Sequence, residues 1–338
     1  MIRKVLSEVK DGEILAENIE VDGTVLVSKD TVLKPEYIDI LKELDIEYIY
    51  VKDEIDNYLE KTELLDTKTQ IEYENRIKEI FECHIHTNHA TLIRLEDIAD
   101  ELVNTVGNDE KNVYDYIITK ENIWEHTLMV TALSILIAKK MNLSSQEIEE
   151  ISKGAVLHDL GYRYIDVPML NVDLDEIEPE QVFEYKKHTI YGYCAVEKEE
   201  WLNDDVRKII LSHHECLDGS GFPLKQKNMT LLTQIVAVTD TFDRKLRGIS
   251  TRKCSLVEAK EYLKANSGIK YNKEVVDILD RIIGKFTTGS KITLKDGKTV
   301  LVIRQGENAD EPLVILEEDL NKDNFESYEK LLKKEDYM

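Results

Sequence analysis

The chain has 338 residues, 42% hydrophobic and 33% charged, with a formal net charge of -24 from 44 Lys+Arg against 68 Asp+Glu. That length suits about two domains of roughly 150 residues each, and the acidic balance argues against duplex nucleic acid or an anionic membrane as partner. No stretch approaches the roughly 18 apolar residues of a membrane span, and the N-terminus "MIRKVLSEVKDGEILAE" lacks the apolar segment of a signal peptide. The four cysteines (Cys83, Cys194, Cys216 and Cys254) form no C-x-x-C pair, so the expectation is a cytoplasmic protein with free thiols.

Residues 1–55 read as a small α+β module. "ILAENIEV", "TVLVSK" and "IEYIYV" have strand character around the turn "VDGT", and "KPEYIDILKEL" reads as a short helix with Pro35 near its start. Residues 56–120 read as a helical linker region, polar and charged at its beginning. Residues 121–286 form the main helical domain. Its segment "NIWEHTLMVTALSILIAKKM" is apolar on nearly all sides, which predicts a helix buried inside a bundle. Ser144 and Glu147 have the spacing of a capping box, Asn272 can cap "KEVVDILDRII", and Gly284 can end it. Residues 287–338 predict a small β appendage with a charged tail, because Asp296-Gly297 sits between two strand-like runs and "EPLVILEE" offers a third. The fold class is mainly α, an all-helical bundle between the two small β-containing flanks.

Five of the eight histidines sit in well-formed helical segments: His126, His158, His188, His213 and His214. Asp159 follows His158 directly, and Asp240 ends the apolar run of "TQIVAVTD". Widely spaced groups of this kind meet only where several helices converge, which is how bundles build metal sites. Five imidazoles and two carboxylates exceed one closed tetrahedral zinc and suit two bridged metals with open positions. From spacing alone, that centre and a set of separately satisfied core histidines stand as equal alternatives. "CHIHTNHA", with His84, His86 and His89, reads as a polar helix end or loop. "HHECLDGSGFP" demands a tight turn with positive φ at Gly219, Gly221 or both. It is either a structural turn or a loop that closes over a ligand.

These residues resemble the HD-GYP domain phosphodiesterases, a branch of the HD metal-dependent phosphohydrolases. The likeness covers about 120 to 285. It rests on His126, "HDLG" (158–161), His188 in "HTIYGY", "HHECLDGSGFP" (213–223) and "VTDTFD" (238–243). The resemblance implies an HD-type bundle and hydrolysis of a cyclic dinucleotide, chiefly cyclic di-GMP, to linear pGpG and/or GMP. It also implies two divalent transition-metal ions, iron or manganese, held by His126, His158, Asp159, His188, His213, His214 and Asp240. By the same resemblance Asp159 would bridge them as the catalytic carboxylate, and a hydroxide between the ions would attack phosphorus. The substrate would meet Tyr162, Asp218, Gly219, Gly221 and Arg252, and family habit implies a homodimer through the helical segment before His126.

Several positions depart from the family pattern. Asn122 stands where three-metal members have Glu, which points to two metals. Tyr162 stands where a phosphate-contacting Lys is usual. A neutral hydroxyl replaces a cation there, and a hydroxyl is the weaker partner for an anion. Phe222 replaces the usual Tyr of the signature loop, and Cys216 replaces a common basic residue. "RKLRGISTRK" retains Arg252 but lacks the usual Arg-Pro-Tyr, while Arg244 and Arg247 add positive charge nearby. The same departures suit two other readings. One is a catalytically weak cyclic-dinucleotide sensor or docking module, and the other is a phosphohydrolase for another nucleotide.

Overall fold

The computed structural model describes all residues except 1, 22, 23, 45, 47, 53–58, 85–90, 108–112, 168, 169, 171, 321–329 and 338. The architecture is mainly helical, with small antiparallel sheets near both ends.

In the N-terminal module, β1 (Ile2–Val5) pairs antiparallel with β4 (Tyr48–Val51), and β2 (Ile19–Val21) pairs with β3 (Thr24–Val27). β1 was not among the expected strands, because the adjacent charges of Arg3 and Lys4 break the apolar alternation. α1 (Pro35–Glu43) begins with Pro35 at its first turn, where the missing N–H costs nothing. Leu15, Leu33, Leu41 and Val51 give the module its own core.

The main core is built around α4 (Ile123–Lys140), whose residues from Glu125 to Ala138 are all buried. α2 (Thr67–His84), α3 (Arg94–Thr105), α5 (Ser145–Leu157), α9 (Leu231–Arg247) and α11 (Lys273–Ile282) all pack on it. Enclosure on every side is why its sequence is apolar on every face. The region expected as a helical linker contributes walls of this bundle: Ile77 and Phe81 of α2, with Leu95, Ile98 and Leu102 of α3, lie in the same core. His84 closes α2, and His86 and His89 lie outside the described residues. The Ser144–Glu147 capping box and the Asn272 cap both form.

α6 (Pro179–Lys186), α7 (His188–Val196), α8 (Asp204–Ser212) and α10 (Leu256–Ala265) complete the helical part. After α5 the chain makes a short tight helix over Leu160–Tyr164 that packs against α7. Gly161 permits this: a Cβ there would lie 1.7 Å from the His188 carbonyl oxygen. Gly161→Ala forces α7 to move, so we expect a loss of about 1–3 kcal/mol in chemical denaturation, the range for overpacking. An unchanged denaturation midpoint would refute this close approach.

At the C-terminal end, β5 (Lys291–Thr293), β6 (Thr299–Arg304), β7 (Leu313–Leu316) and β8 (Lys330–Leu331) form a four-stranded sheet in that order, followed by α12 (Lys334–Tyr337). Gly297 turns the first hairpin with φ 85°. Asp115 ties the sheet to the bundle. Its carboxylate accepts from the Thr62 N–H (2.9 Å), the Thr288 N–H (2.7 Å) and Gln305 Nε2 (2.6 Å). Among the described residues, no helix is long and apolar enough to cross a membrane.

Candidate metal centre

Helix ends deliver most of the site. His126 lies in the first turn of α4, His158 and Asp159 follow the last turn of α5, His188 opens α7, and His213 and His214 follow α8. Asp240 lies inside α9. All seven side chains are buried. They form two overlapping groups, Asp159 with His188, His213 and His214, and Asp159 with His126, His158 and Asp240. Within each group the potential ligand atoms lie within 4.8 Å of one another. Asp159 is the shared member, and each of its oxygens faces a different pair of histidines. Its Oδ2 is 3.3 Å from His126 Nε2 and 3.1 Å from His158 Nε2. Its Oδ1 is 3.6 Å from His188 Nε2 and 3.5 Å from His213 Nε2. Asp240 faces His126 Nε2 at 3.4 Å and His214 Nδ1 at 3.3 Å.

The hydrogen bonds on the far side of the rings show what this cluster fits. His158 Nδ1 donates to the Ala155 carbonyl (2.6 Å), His188 Nδ1 to the Tyr185 carbonyl (2.6 Å) and His213 Nδ1 to the Ile210 carbonyl (3.0 Å). A carbonyl only accepts, so in a neutral ring the proton sits on Nδ1 and the Nε2 lone pair points inward. The Nε2 atoms of His188 and His213 then face each other at 3.4 Å. Both oxygens of Asp159 and Oδ1 of Asp240 are buried without a hydrogen-bond donor. Lone pairs and unpaired carboxylates packed this closely repel one another unless cations lie between them. Imidazole nitrogens mixed with carboxylate oxygens form a donor set that suits divalent transition metals.

Burial pushes the His188 pKa down to about 3, against the pull of Asp159, so its imidazole is neutral and fit to ligate near pH 7. Burial, with His213 and Arg244 beside it, lowers His214 in the same direction. Burial also opposes charge on His126, but Asp159, Asp240 and Asp243 overcome it and raise that pKa well above the ordinary value. The carboxylates thus demand a positive charge, and a metal ion held there would supply it in place of that proton.

Asp243 is a supporting residue that the sequence reading did not single out. Its Oδ2 lies 2.6 Å from His126 Nδ1 and accepts from Arg247 Nε at 2.6 Å, while its Oδ1 accepts from the Tyr116 hydroxyl at 2.7 Å. Burial works against its charge, but Arg247 and His126 hold its pKa down to about 2. The available signal was its place in "VTDTFD", three residues after Asp240 and so near it on the helix surface. Arg247 was expected to add positive charge for a ligand. Instead its side chain is fully buried between Asp243 and Glu125.

The other expected site residues are placed differently with respect to the His/Asp cluster. The Tyr162 ring stacks on His188 with centroids 4.2 Å apart, and its hydroxyl donates to the Tyr185 hydroxyl at 3.1 Å. Gly221 lets the signature loop fold onto the backbone of His214: a Cβ there would lie 2.4 Å from the His214 carbonyl oxygen. Gly219 has φ +80° and Gly221 does not share that conformation, so one glycine of the loop takes the left-handed turn. Asp218 is exposed, and its carboxylate accepts from the Ser220 N–H at 2.9 Å. The Phe222 ring lies 4.6 Å from the His214 ring. Arg252 is exposed and lines a separate cavity of ≈ 720 Å³ with Asp173, Lys245, Lys253 and Glu258, where none of the seven clustered residues appears. Asn122 caps α4, accepting from the N–H groups of Trp124 (2.9 Å) and Glu125 (2.8 Å), which accounts for an amide at that position.

A sequence profile described as HD domain matches residues 97–275. A cyclic di-GMP phosphodiesterase of Pseudomonas aeruginosa is 25% identical over 227 residues, covering 65% of this chain and 53% of the relative. A cyclic di-GMP phosphodiesterase of Thermotoga maritima is 34% identical over 160 residues, covering 45% of this chain and 42% of the relative. The chain therefore spans about half the length of these curated relatives. Among solved structures, an HDG"Y"P protein from Bdellovibrio bacteriovorus matches with a TM-score of 0.52 at 23% identity, covering 82% of this chain and 99% of that one. That likeness concerns the fold.

Proposed function

The chain belongs to the HD domain family, and from this we propose that it is a metal-dependent phosphodiesterase. Its substrate is a cyclic dinucleotide, first of all cyclic di-GMP, and its products are linear pGpG and/or GMP. The observation that carries the reading is the pair of four-residue groups that share Asp159. His126, His158, Asp159 and Asp240 would hold one divalent ion, and His188, His213 and His214 with Asp159 the other. Bound there, such ions lower the pKa of water and neutralise charge growing on phosphoryl oxygens. The protein's own share is orientation: backbone carbonyls fix three imidazoles and Asp243 fixes His126. Burial of the cluster keeps the field on the reacting phosphate strong.

One observation favours a second reading. The position after "HDLG" carries no cation, because Tyr162 is buried and its hydroxyl is spent on Tyr185. A weakly active sensor of the same ligand would look like this. Anaerobic incubation of iron- or manganese-loaded protein with cyclic di-GMP, followed by chromatography, separates the readings. We expect linear product. Tight binding without product would support the sensor, and neither binding nor product would remove cyclic di-GMP as the ligand.

A further inference from the structure

We propose that Arg244 is the cation that receives a non-bridging oxygen of the substrate phosphate, a task that Tyr162 cannot perform. The inference rests on the phosphodiesterase reading and adds a residue to it. Arg244 lies one helical turn after Asp240 on α9. Its Nε donates to Asp240 Oδ2 at 3.0 Å, and its Nη1 donates to the Tyr185 hydroxyl at 3.3 Å. The Tyr185 hydroxyl also receives the Tyr162 hydroxyl at 3.1 Å. The guanidinium is thus moored beside the residue that stands in the usual lysine position.

Two features separate Arg244 from a merely structural arginine. Its side chain is 15% exposed beside an Asp240 at 0%, whereas Arg247 on the same helix is at 0% and enclosed by carboxylates. Its Nη2 has no protein acceptor among the described residues, although Nε and Nη1 are both engaged. A planar guanidinium held by two of its nitrogens keeps a directed donor free, a geometry suited to an oxyanion. Because Asp240 is a candidate ligand and the guanidinium bonds it at 3.0 Å, that donor lies beside the place where the candidate metal ions would draw a phosphate.

The test uses inorganic phosphate as probe and calorimetry as readout, on the full metal-loaded chain, with metal content measured beside it. Arg244→Met is expected to weaken phosphate binding per metal-loaded site by about 10–100-fold, the worth of a charge-assisted hydrogen bond. Adding Tyr162→Lys to that variant should restore most of the affinity, because the cation is returned from the other side of Tyr185. Unchanged affinity in Arg244→Met overturns the proposal, as does a natural protein that binds no phosphate. Loss of metal with unaltered affinity at the sites still loaded also overturns it, and makes Arg244 a positioning residue for Asp240. Turnover of cyclic di-GMP is scored separately. Its absence in the natural chain counts against the phosphodiesterase reading, while the phosphate affinities still decide the role of Arg244.

Discussion

Asp159→Asn is expected to strip the protein of stoichiometric metal and to lower turnover of cyclic di-GMP by more than about 100-fold. The bound follows from geometry. Removing a residue that merely orients a ligand costs about 10–100-fold, and Asp159 is the member common to both ligand groups. Its Oδ2 serves His126 and His158 at 3.3 and 3.1 Å, and its Oδ1 serves His188 and His213 at 3.6 and 3.5 Å. Asparagine keeps the shape but loses the charge, and an amide nitrogen has no lone pair for a metal. Elemental analysis of the purified variant is the direct measurement, with about two ions per chain expected in the natural protein. Full metal content in Asp159→Asn would sink the proposed centre.

The same change separates ligation from folding. Without metal, the buried Asp159 carboxylate leans on a protonated histidine, with His126 Nε2 3.3 Å from its Oδ2, so its charge is compensated only in part and costs stability. A neutral amide relieves part of that cost and can donate toward an Nε2 lone pair. Chelator-treated Asp159→Asn should therefore be no less stable to denaturant than chelator-treated natural protein, while the metal-loaded pair should differ strongly. That is the expected mark of a residue kept for function against local stability.

The convergence of these histidines and aspartates was legible in the sequence because they are rare residue types in unusual places. A His-Asp pair ending an apolar helix and a His-His pair before a glycine-rich loop have few inexpensive structural explanations. The surrounding support was not legible in the same way. Asp243, Tyr116 and Glu125 are ordinary residues for helices and loops, and their roles depend on contacts across more than a hundred positions, such as Tyr116 with Asp243. The division of labour between Arg244 and Arg247 was equally hidden. Both carry the same charge on one helix, and only packing decides that one is sealed against Glu125 while the other reaches the edge of the cluster. At the fold level, caps and the Asp296-Gly297 hairpin were read from local chemistry. The membership of α2 and α3 in the main core depended instead on what their apolar faces met.

Arg247→Met is expected to destabilise the protein by about 3–5 kcal/mol, the cost of removing one partner from a buried ion pair. Arg247 Nε bonds Asp243 Oδ2 at 2.6 Å, Nη1 lies 3.3 Å from Glu125 Oε2, and Nη1 also donates to the Lys120 carbonyl. Methionine fills much of the volume, so little of the loss comes from a cavity. What remains is two carboxylates in a dry interior, each at 0% exposure. Glu125 still accepts from the Thr119 N–H at 2.9 Å and Asp243 from the Tyr116 hydroxyl at 2.7 Å, but neither donor carries charge. The damage should also reach the metal centre, because Asp243 is the acceptor that orients His126. Metal affinity should fall by about 10–100-fold in the folded fraction. Adding Glu125→Gln to Arg247→Met removes one of the stranded charges and should recover part of the stability without restoring the metal affinity. Equilibrium denaturation with parallel metal titration measures both effects. A loss under about 1 kcal/mol, the level of an exposed pair, would mean that water reaches this network and that His126 is not held by a desolvated carboxylate.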